Sequence, residues 1–217
     1  MEESSIHLFG LELLSPGSFI TDILITIVTY TFYNKLKNNK DNEYYGYFFL
    51  FMGLGSFIGA FGHLLYNYTD KPLQIFGWLF TALSIYFIQL AALKEIESER
   101  FKKNLKIGIN IQFTVFIILV LVFQNFVVVT TNTIIGLMVV VIPTLSIQAF
   151  NKNMKRNIFI VSGILLSGIP AFLYKVKSSF GGLDGRELSH LILILCFYII
   201  FIGVNMATEK EKVVTRM

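Results

Sequence analysis

The chain has 217 residues, of which 54% are hydrophobic and 15% are charged, and its mean hydropathy is +0.66. Soluble domains average about 45–50% apolar and about 25% charged residues, so this composition excludes an ordinary soluble protein and indicates an integral membrane protein. The net charge of +4 comes from basic residues in alternating loops, so it does not indicate a nucleic-acid partner. The single cysteine, Cys196, excludes a disulfide framework and a cysteine-based metal site.

Seven apolar segments follow one another along the chain, each long enough to cross a bilayer as a helix. A crossing needs about 20 apolar residues in a helix, because the hydrocarbon offers no water to free backbone N–H and C=O groups. The segments lie at residues 17–34, 45–67, 73–93, 105–124, 126–150, 158–176 and 187–206. The sequence therefore predicts an all-α bundle of seven transmembrane helices that forms one membrane domain over residues 1–217.

Basic residues predict the orientation of this bundle, because cytoplasmic loops carry an excess of Lys and Arg. The loops after segments one, three and five and the carboxyl-terminal tail contain Lys35, Lys37, Lys40, Lys94, Arg100, Lys102, Lys103, Lys106, Lys152, Lys155, Arg156, Lys210, Lys212 and Arg216. The opposite loops contain Lys71, Lys175, Lys177 and Arg186. We therefore expect an outside amino terminus, an inside carboxyl terminus and a multi-pass protein of a bacterial-type cell membrane.

Four ionisable side chains are predicted to lie at one depth near the outer surface. Segment one begins PGSFITDILIT and places Asp22 little more than one turn inside, and His63 lies one turn before the end of segment two. Segment seven begins GRELSHLILIL, and the spacing of Glu187 and His190 places them on one helix face. Intramembrane polar groups usually face the bundle interior and mark a site. Near helix ends, snorkelling or an ordinary interhelical hydrogen bond is the alternative explanation.

These residue types are also the ones that zinc binds. Zinc takes imidazole nitrogen and carboxylate oxygen, and a catalytic ion keeps a water whose pKa falls to about 7. We therefore predict zinc ligands at His63, Glu187 and His190. The catalytic groups predicted beside the ion are Asp22, Ser56 and Tyr198. The carboxylate takes a proton from the water, and either hydroxyl stabilises the oxyanion.

Two stretches carry a family resemblance. FGHLLYN, with Trp78 in the next segment, and ELSHLILILCFYIIFIGV resemble the CREST superfamily of membrane hydrolases, which includes the alkaline ceramidases and the progestin and adiponectin receptors. The likeness is closest to a branch of uncharacterised bacterial and animal membrane proteins related to it. The resemblance implies a seven-helix bundle with a zinc-centred amidase-type site that acts on a lipid. The chain departs from the family pattern at Gly59, where the family has serine, and at Arg186, where it has a second histidine.

Three functions are consistent with these features. The first is a zinc-dependent hydrolase of a lipid amide or ester at the outer leaflet, and the second is a non-catalytic lipid-binding, ligand-binding or scaffold protein on the same fold. A transporter is less favoured, because no charge lies at mid-bilayer and no pair of interrupted half-spans is present. A retinal protein of the usual kind is excluded, since residues 187–206 contain no lysine for a Schiff base. A membrane lipid is the expected partner.

Overall fold

The computed structural model describes residues 5–151, 153–176 and 183–206, and this part of the chain is almost wholly helical. The elements are β1 (Ser5–Leu8), β2 (Leu11–Leu14), α1 (Pro16–Leu36), α2 (Glu43–Leu64), α3 (Tyr66–Thr69), α4 (Pro72–Lys94), α5 (Glu99–Phe123), α6 (Phe126–Ile134), a π-helix (Ile135–Val141), α7 (Ile142–Asn151), α8 (Met154–Leu166), α9 (Gly168–Val176) and α10 (Gly185–Asn205). Several basic residues used above for orientation lie outside the described residues, namely Lys152, Lys177, Lys210, Lys212 and Arg216.

Helical structure covers each predicted apolar segment, and the prediction of an essentially all-α protein is confirmed for the described residues. Five helical stretches there are long and apolar enough to cross a membrane: Glu43–Leu64, Pro72–Lys94, Glu99–Phe123, Phe126–Ala149 and Gly185–Asn205. Helix α1 has 21 residues, but Asp22 and its several threonines lower its hydropathy. Helices α8 and α9 meet at Ser167, and each is too short to cross by itself.

Packing brings α1 between α2 and α10, while α2 also packs on α4, and α10 on α8 and α9. The main core draws its buried apolar side chains from α1, α2, α4, the π-helix, α7, α8 and α10. At its centre the rings of Phe32 and Phe201 are stacked, with centroids 4.3 Å apart, and Phe49 packs edge-on against Phe32. Helix α5 lies at the periphery against α4 and α6.

Glycines permit the closest helix pairs. A Cβ at Gly55 of α2 would lie 3.0 Å from the carbonyl oxygen of Gly77 in α4. A Cβ at Gly163 of α8 would lie 2.9 Å from the carbonyl oxygen of Cys196 in α10. Larger side chains at these positions would force the backbones apart, so the small residues set the distance between these helices.

An amide network joins three helices in the half of the bundle away from α1. Gln89 Nε2 of α4 donates to Gln112 Oε1 of α5 (2.9 Å), and Gln112 Nε2 donates to Asn132 Oδ1 of α6 (3.0 Å). The π-helix begins three residues later, and a Cβ on its Gly136 would collide with Ile85 and press on Gln89. The network and the close approach fix α6 against α4.

Buried polar contacts tie four helices at the end of the bundle where α2 begins and α10 ends. The Arg156 guanidinium is 3% exposed, and its Nη1 donates to Glu95 Oε1. Its Nη2 donates to Asn42 Oδ1 (3.2 Å), and Asn42 Nδ2 donates to the Val204 carbonyl oxygen (3.1 Å). We call Arg156, Glu95 and Asn42 the basal clamp. It links the start of α2, the end of α4, the first turn of α8 and the last turn of α10.

Candidate functional site

At the opposite end of the bundle, α1 and α10 begin side by side and run in the same direction. Thr21 lies beside His190 near their amino-terminal ends, and Phe32 lies beside Phe201 deeper in the bundle. The first and last apolar segments, which must meet if the ionisable side chains at their ends form one site, are therefore adjacent in the structure. Their facing surfaces hold both a group of polar side chains and an apolar groove.

Two oxygen atoms of α1 flank one ring nitrogen of His190. Its Nδ1 lies 2.9 Å from Thr21 Oγ1 and 3.6 Å from Asp22 Oδ1. Thr21 Oγ1 also lies within hydrogen-bond distance of the carbonyl oxygens of Gly17 (3.1 Å) and Ser18 (3.0 Å). In the tautomer with the proton on Nδ1, His190 donates to Thr21, the Thr21 proton goes to one of these carbonyl oxygens, and Nε2 is a hydrogen-bond acceptor.

A third polar side chain of α1, that of Ser18, is buried on the same helix face as Asp22. Ser18 and Asp22 are four residues apart, with 0% and 6% exposure. Within the described residues, Ser18 Oγ has no hydrogen-bond partner. A buried hydroxyl in this state retains full capacity to donate to and accept from a bound polar group. We call Ser18, Thr21, Asp22 and His190 the polar cluster.

Ser56 of α2 lies at the depth of this cluster. Helix α2 runs antiparallel to α1: the Phe61 ring packs on Phe19 at 5.4 Å, and Thr26 Oγ1 donates to the Gly53 carbonyl oxygen (3.2 Å). Ser56 falls between these two contacts and is half-buried. Ser56 is therefore level, along the helix axes, with the turn of α1 that carries the polar cluster.

His63 approaches the same region from the end of α2. It is half-buried and lies within electrostatic range of His190. Arg186, in the first turn of α10, lies within electrostatic range of both His190 and Asp22, and its Nη1 donates to Ser15 Oγ (3.3 Å). The two histidines thus belong to one region, which also contains a guanidinium.

Glu187 has a defined structural position at the start of α10. Its Oε2 accepts from the backbone N–H of Asp184 (2.9 Å), and its own N–H donates to Asp184 Oδ1 (2.8 Å), which is a capping box. Its other carboxylate oxygen packs on α1, where a Cβ added at Gly17 would collide with it. The carboxylate therefore caps α10 and fixes it against α1.

Tyr198 lies away from the polar cluster. It follows His190 by eight residues of helix, a rise of about 12 Å toward the other end of the bundle. Its side chain is 51% exposed, and its ring centroid lies 6.3 Å from that of Phe32. The structure brings Asp22, His63 and His190 into one region and places Tyr198 two turns deeper.

An apolar groove of about 450 Å³ separates these two levels on the side of the α1–α10 pair. It is lined by Ile27, Val28, Thr31, Phe32, Leu191, Ile194, Leu195 and Tyr198. The lining begins at Leu191, one residue beyond His190 in sequence and about 100° around the helix from it, and ends at Tyr198. The groove and the polar cluster therefore lie on the same helix pair but share no residue. Nearly all of its wall is carbon.

The predicted donors are not arranged as a zinc site in the part of the chain that the structure describes. In residues 5–151, 153–176 and 183–206, no group of three His, Cys, Asp or Glu side chains is arranged to hold a metal ion. The capping carboxylate of Glu187 is already engaged, and the Arg186 guanidinium disfavours a dication at His190. The set of His63, Glu187 and His190 stays a prediction from the sequence, and no chemical step is derived from zinc.

Some site residues were missed by the sequence reasoning. Ser18 and Thr21 were not singled out, although Ser18 precedes Asp22 by four residues and so shares its helix face. A helical wheel of α1 places Ser18 and Asp22 on one face, so Ser18 could have been identified from the sequence. The orientation of Thr21 toward His190 depends on the packing of two helices far apart in sequence, so no local pattern predicts it.

Fold and site together define a helical protein with apolar helices long enough to cross a membrane and with polar side chains gathered at one end of a lateral groove. The chain belongs to the family described as a family of unknown function (DUF6962), whose model matches residues 18–209. No curated protein and no solved structure matches the chain. The family match extends from the first turn of α1 to beyond the end of α10, so it includes the groove and the polar cluster.

Proposed function

We propose that this protein binds a membrane lipid, with one acyl chain in the groove between α1 and α10 and the lipid's polar group at the polar cluster. The observation that carries this proposal is that both features lie on the same helix pair: the cluster is near the amino-terminal ends of α1 and α10, and the groove begins within about two turns of it. A lipid has the same division into an apolar chain and a polar group. Lipid binding is therefore favoured over a scaffold that binds no ligand.

The groove has the size and chemistry of a ligand site. Pockets for small ligands measure about 300–1,000 Å³ and are mostly apolar, with a few polar groups that fix orientation. The groove has about 450 Å³ and is lined by leucine, isoleucine, valine and aromatic side chains. Its opening on the flank of the bundle suits a ligand that enters sideways from a bilayer.

The polar cluster suits an uncharged head such as a hydroxyl, amide or ester. The Ser18 hydroxyl can donate or accept, His190 Nε2 accepts, and the Asp22 side chain is 8% exposed beside it. Moving a charged headgroup from water into a buried site costs more free energy than moving a neutral headgroup, and this site already holds ionisable side chains. The proposal therefore names a neutral polar lipid.

Hydrolysis of the bound lipid is the second candidate. The observation that favours it is the hydrogen bond between Thr21 Oγ1 and His190 Nδ1, with Asp22 Oδ1 at 3.6 Å, since a hydrogen bond at Nδ1 orients an imidazole whose Nε2 can act as a general base. A water activated by Nε2 would attack the carbonyl carbon of an amide or ester, and His190 would return the proton to the leaving group. This hypothesis is tested by measuring cleavage of the lipid in addition to its binding.

We also propose that all seven helical segments cross the bilayer, with the amino terminus outside. Helix α1, at 21 residues, is about 31 Å long and packs between two apolar helices, and α8 with α9 continues through a single bend at Ser167. Lys40 accepts at its carbonyl oxygen from Lys94 Nζ (3.0 Å), so basic residues of two loops meet at the end of the basal clamp. This end is inside by the positive-inside rule.

The orientation is tested with single cysteines in a Cys196→Ser background, since Cys196 is buried. Lys71→Cys and Asn38→Cys occupy exposed positions at opposite ends of the bundle. An impermeant maleimide is expected to label Lys71→Cys in intact cells and Asn38→Cys only after permeabilisation. The reverse pattern would overturn the orientation.

The binding proposal is tested with a lipid whose acyl chain carries a photoactivatable diazirine. In membranes we expect the label on peptides of α1 and α10, and we expect Leu195→Trp to reduce it several-fold by filling the groove. Leu165→Trp is the matched control, because Leu165 of α8 is 54% exposed, against 56% for Leu195, and lies outside the groove. Labelling that is spread over all helices and is equal in both variants would contradict lipid binding at this groove.

A further inference from the structure

The segment before α1 forms a two-stranded antiparallel hairpin whose two faces differ in chemistry. Strand pairing places Ile6 opposite Leu13 and Leu8 opposite Leu11 on one face. His7 pairs with Glu12 on the other face. Because successive side chains of a strand alternate between faces, one face is wholly aliphatic and the other carries the ionisable groups.

The polar face is attached to the bundle. The Glu12 backbone N–H donates to the Tyr68 hydroxyl (2.8 Å), and Asn67 Nδ2 donates to Glu12 Oε2 (3.2 Å). Both partners belong to α3, the short helix between α2 and α4. The aliphatic face is consequently turned away from α3, and Ile6, Leu8 and Leu11 are 45%, 49% and 43% exposed.

The turn of the hairpin carries its most exposed apolar side chain. Phe9 and Gly10 form a two-residue connection with φ values of +51° and +79°. Both positions of such a turn favour Asn, Asp or Gly, and a bulky residue there adopts a left-handed conformation at a cost in free energy. The chain nevertheless places a phenylalanine at the tip, with its side chain 94% exposed.

We propose that this hairpin inserts its aliphatic face and Phe9 into the boundary between lipid headgroups and acyl chains, at the end of the bundle where α1 begins. The lipid is the occupant because the exposed apolar side chains of the hairpin lie at one end of helices that are apolar and long enough to cross a membrane. At the same end, Ile20 of α1 and Phe76 of α4 are also exposed, at 58% and 55%. An amphipathic element with an aromatic side chain is the type that lies at a membrane interface.

The proposal is independent of the groove, because it concerns a segment outside the α1–α10 pair and predicts contact with bulk lipid rather than with a bound molecule. It assigns the hairpin as an interfacial anchor. The polar face, held by Glu12, faces the protein and the headgroups, and the aliphatic face enters the bilayer.

Tryptophan fluorescence in full-length protein tests this assignment, since Trp78 is the only native tryptophan. In a Trp78→Phe background, Phe9→Trp places the probe at the tip, and His7→Trp is the matched control on the polar face of the same hairpin. In liposomes of phosphatidylcholine brominated near the top of the acyl chains, we expect Phe9→Trp to have the bluer emission and about twofold stronger quenching than His7→Trp.

Three outcomes would overturn the proposal. Red-shifted, unquenched emission from Phe9→Trp means that the tip lies in water. Blue-shifted emission without bromolipid quenching means that a second copy or another protein covers it. Equal quenching of both probes means that the hairpin has no lipid-facing side. Leu11→Trp, on the aliphatic face away from the strained turn, repeats the test where Phe9→Trp fails to fold and is expected to be quenched like the tip.

Discussion

The basal clamp and the polar cluster are both buried groups of polar side chains, but their hydrogen bonds are organised differently. In the clamp, Arg156 donates to the Glu95 carboxylate and to the Asn42 side-chain oxygen. Asn42 in turn donates to a backbone carbonyl oxygen in the last turn of α10. In the cluster, Ser18 Oγ has no partner within the described residues, and His190 Nε2 is an acceptor in the tautomer that donates from Nδ1 to Thr21. We therefore interpret the clamp as a structural contact that holds helices together, and the cluster as a binding site. The predictions below separate the two by stability and by ligand binding.

The largest expected effect is the loss of stability on breaking the clamp. Arg156→Met leaves Glu95 charged and Asn42 without its donor, and removal of one member of a buried ion pair typically destabilises by about 3–5 kcal/mol. Unfolding of the purified protein in mixed detergent micelles measures this change. Lys155→Met removes the neighbouring exposed lysine and serves as control, with an expected change of about 0.5 kcal/mol or less.

A double-mutant cycle sharpens this prediction. Arg156→Met with Glu95→Leu removes both charges, so the double variant is expected to lose less stability than the sum of the single variants. Strict additivity of the two would show that the ion pair does not hold the basal end together.

The next largest effect is expected where α1 and α10 meet. Gly17→Ala introduces a Cβ at the position of Glu187 Oε1, so the end of this side chain must shift away from α1, which weakens the capping bond that Oε2 accepts from Asp184. Loss of a cap costs about 1 kcal/mol, and the same unfolding assay measures it. Gly59→Ala is the matched control, because a Cβ there meets nothing within 4 Å, and it is expected to be neutral or slightly stabilising through helix propensity. Equal effects of the two alanines would contradict the close α1–α10 contact.

Asp22→Asn is expected to separate binding from stability. The amide has the shape of the carboxylate and still offers an oxygen to His190, so the free energy of unfolding should change by about 1 kcal/mol or less. Photolabelling by the diazirine lipid should fall, because the amide replaces one carboxyl oxygen of the polar cluster with an NH2 donor and so changes the groups that face the lipid's polar head. A variant that is strongly destabilised, or that labels like wild type, would place Asp22 with the structural ties instead.

The smallest expected effect is that of metal removal. The described donors do not form a group of three, so a chelator should leave both the unfolding midpoint and lipid labelling unchanged. The zinc hypothesis predicts the opposite: stoichiometric zinc in wild type and its loss in His63→Ala. Metal analysis of the purified protein decides between them, and the same samples, incubated with a lipid amide and a lipid ester, measure hydrolysis.

The helices were predictable because the apolar segments are long and the signal is local to each of them. Asp22, His63, Glu187 and His190, which the sequence places at one predicted depth, also lie at one end of the described bundle, since alternating helix directions bring the ends of segments one, two and seven together. The hairpin was missed: its turn is Phe-Gly rather than a usual Asn-Gly, and its few alternating residues precede a much stronger helical signal. The basal clamp was missed because Arg156 was interpreted only as a loop charge, whereas its burial depends on four helix ends meeting.

The roles assigned to Glu187 and Tyr198 show the limit of residue type as a guide. Glu187 lies three residues before His190, a spacing that is compatible with metal ligation. The same glutamate also lies three residues after Asp184, and the two side chains form a capping box at the start of α10. Tyr198 was considered with His190 because both lie in one segment, and eight residues of helical rise separate them. Distances along a helix can be calculated from sequence, so the second point was available without a structure.

The π-helix between α6 and α7 also has a consequence for how this family can vary. A π-helical turn accommodates one residue more than an α-helical turn, so Ile135–Val141 holds an insertion without rotating the amide network before it or the core-facing residues after it. Deleting one lipid-facing residue there, such as Val139 at 65% exposure, would let the segment relax to a regular α-helix while both flanks keep their partners. Length differences among relatives are therefore expected in this turn, in the middle of a helix, as well as in the loops.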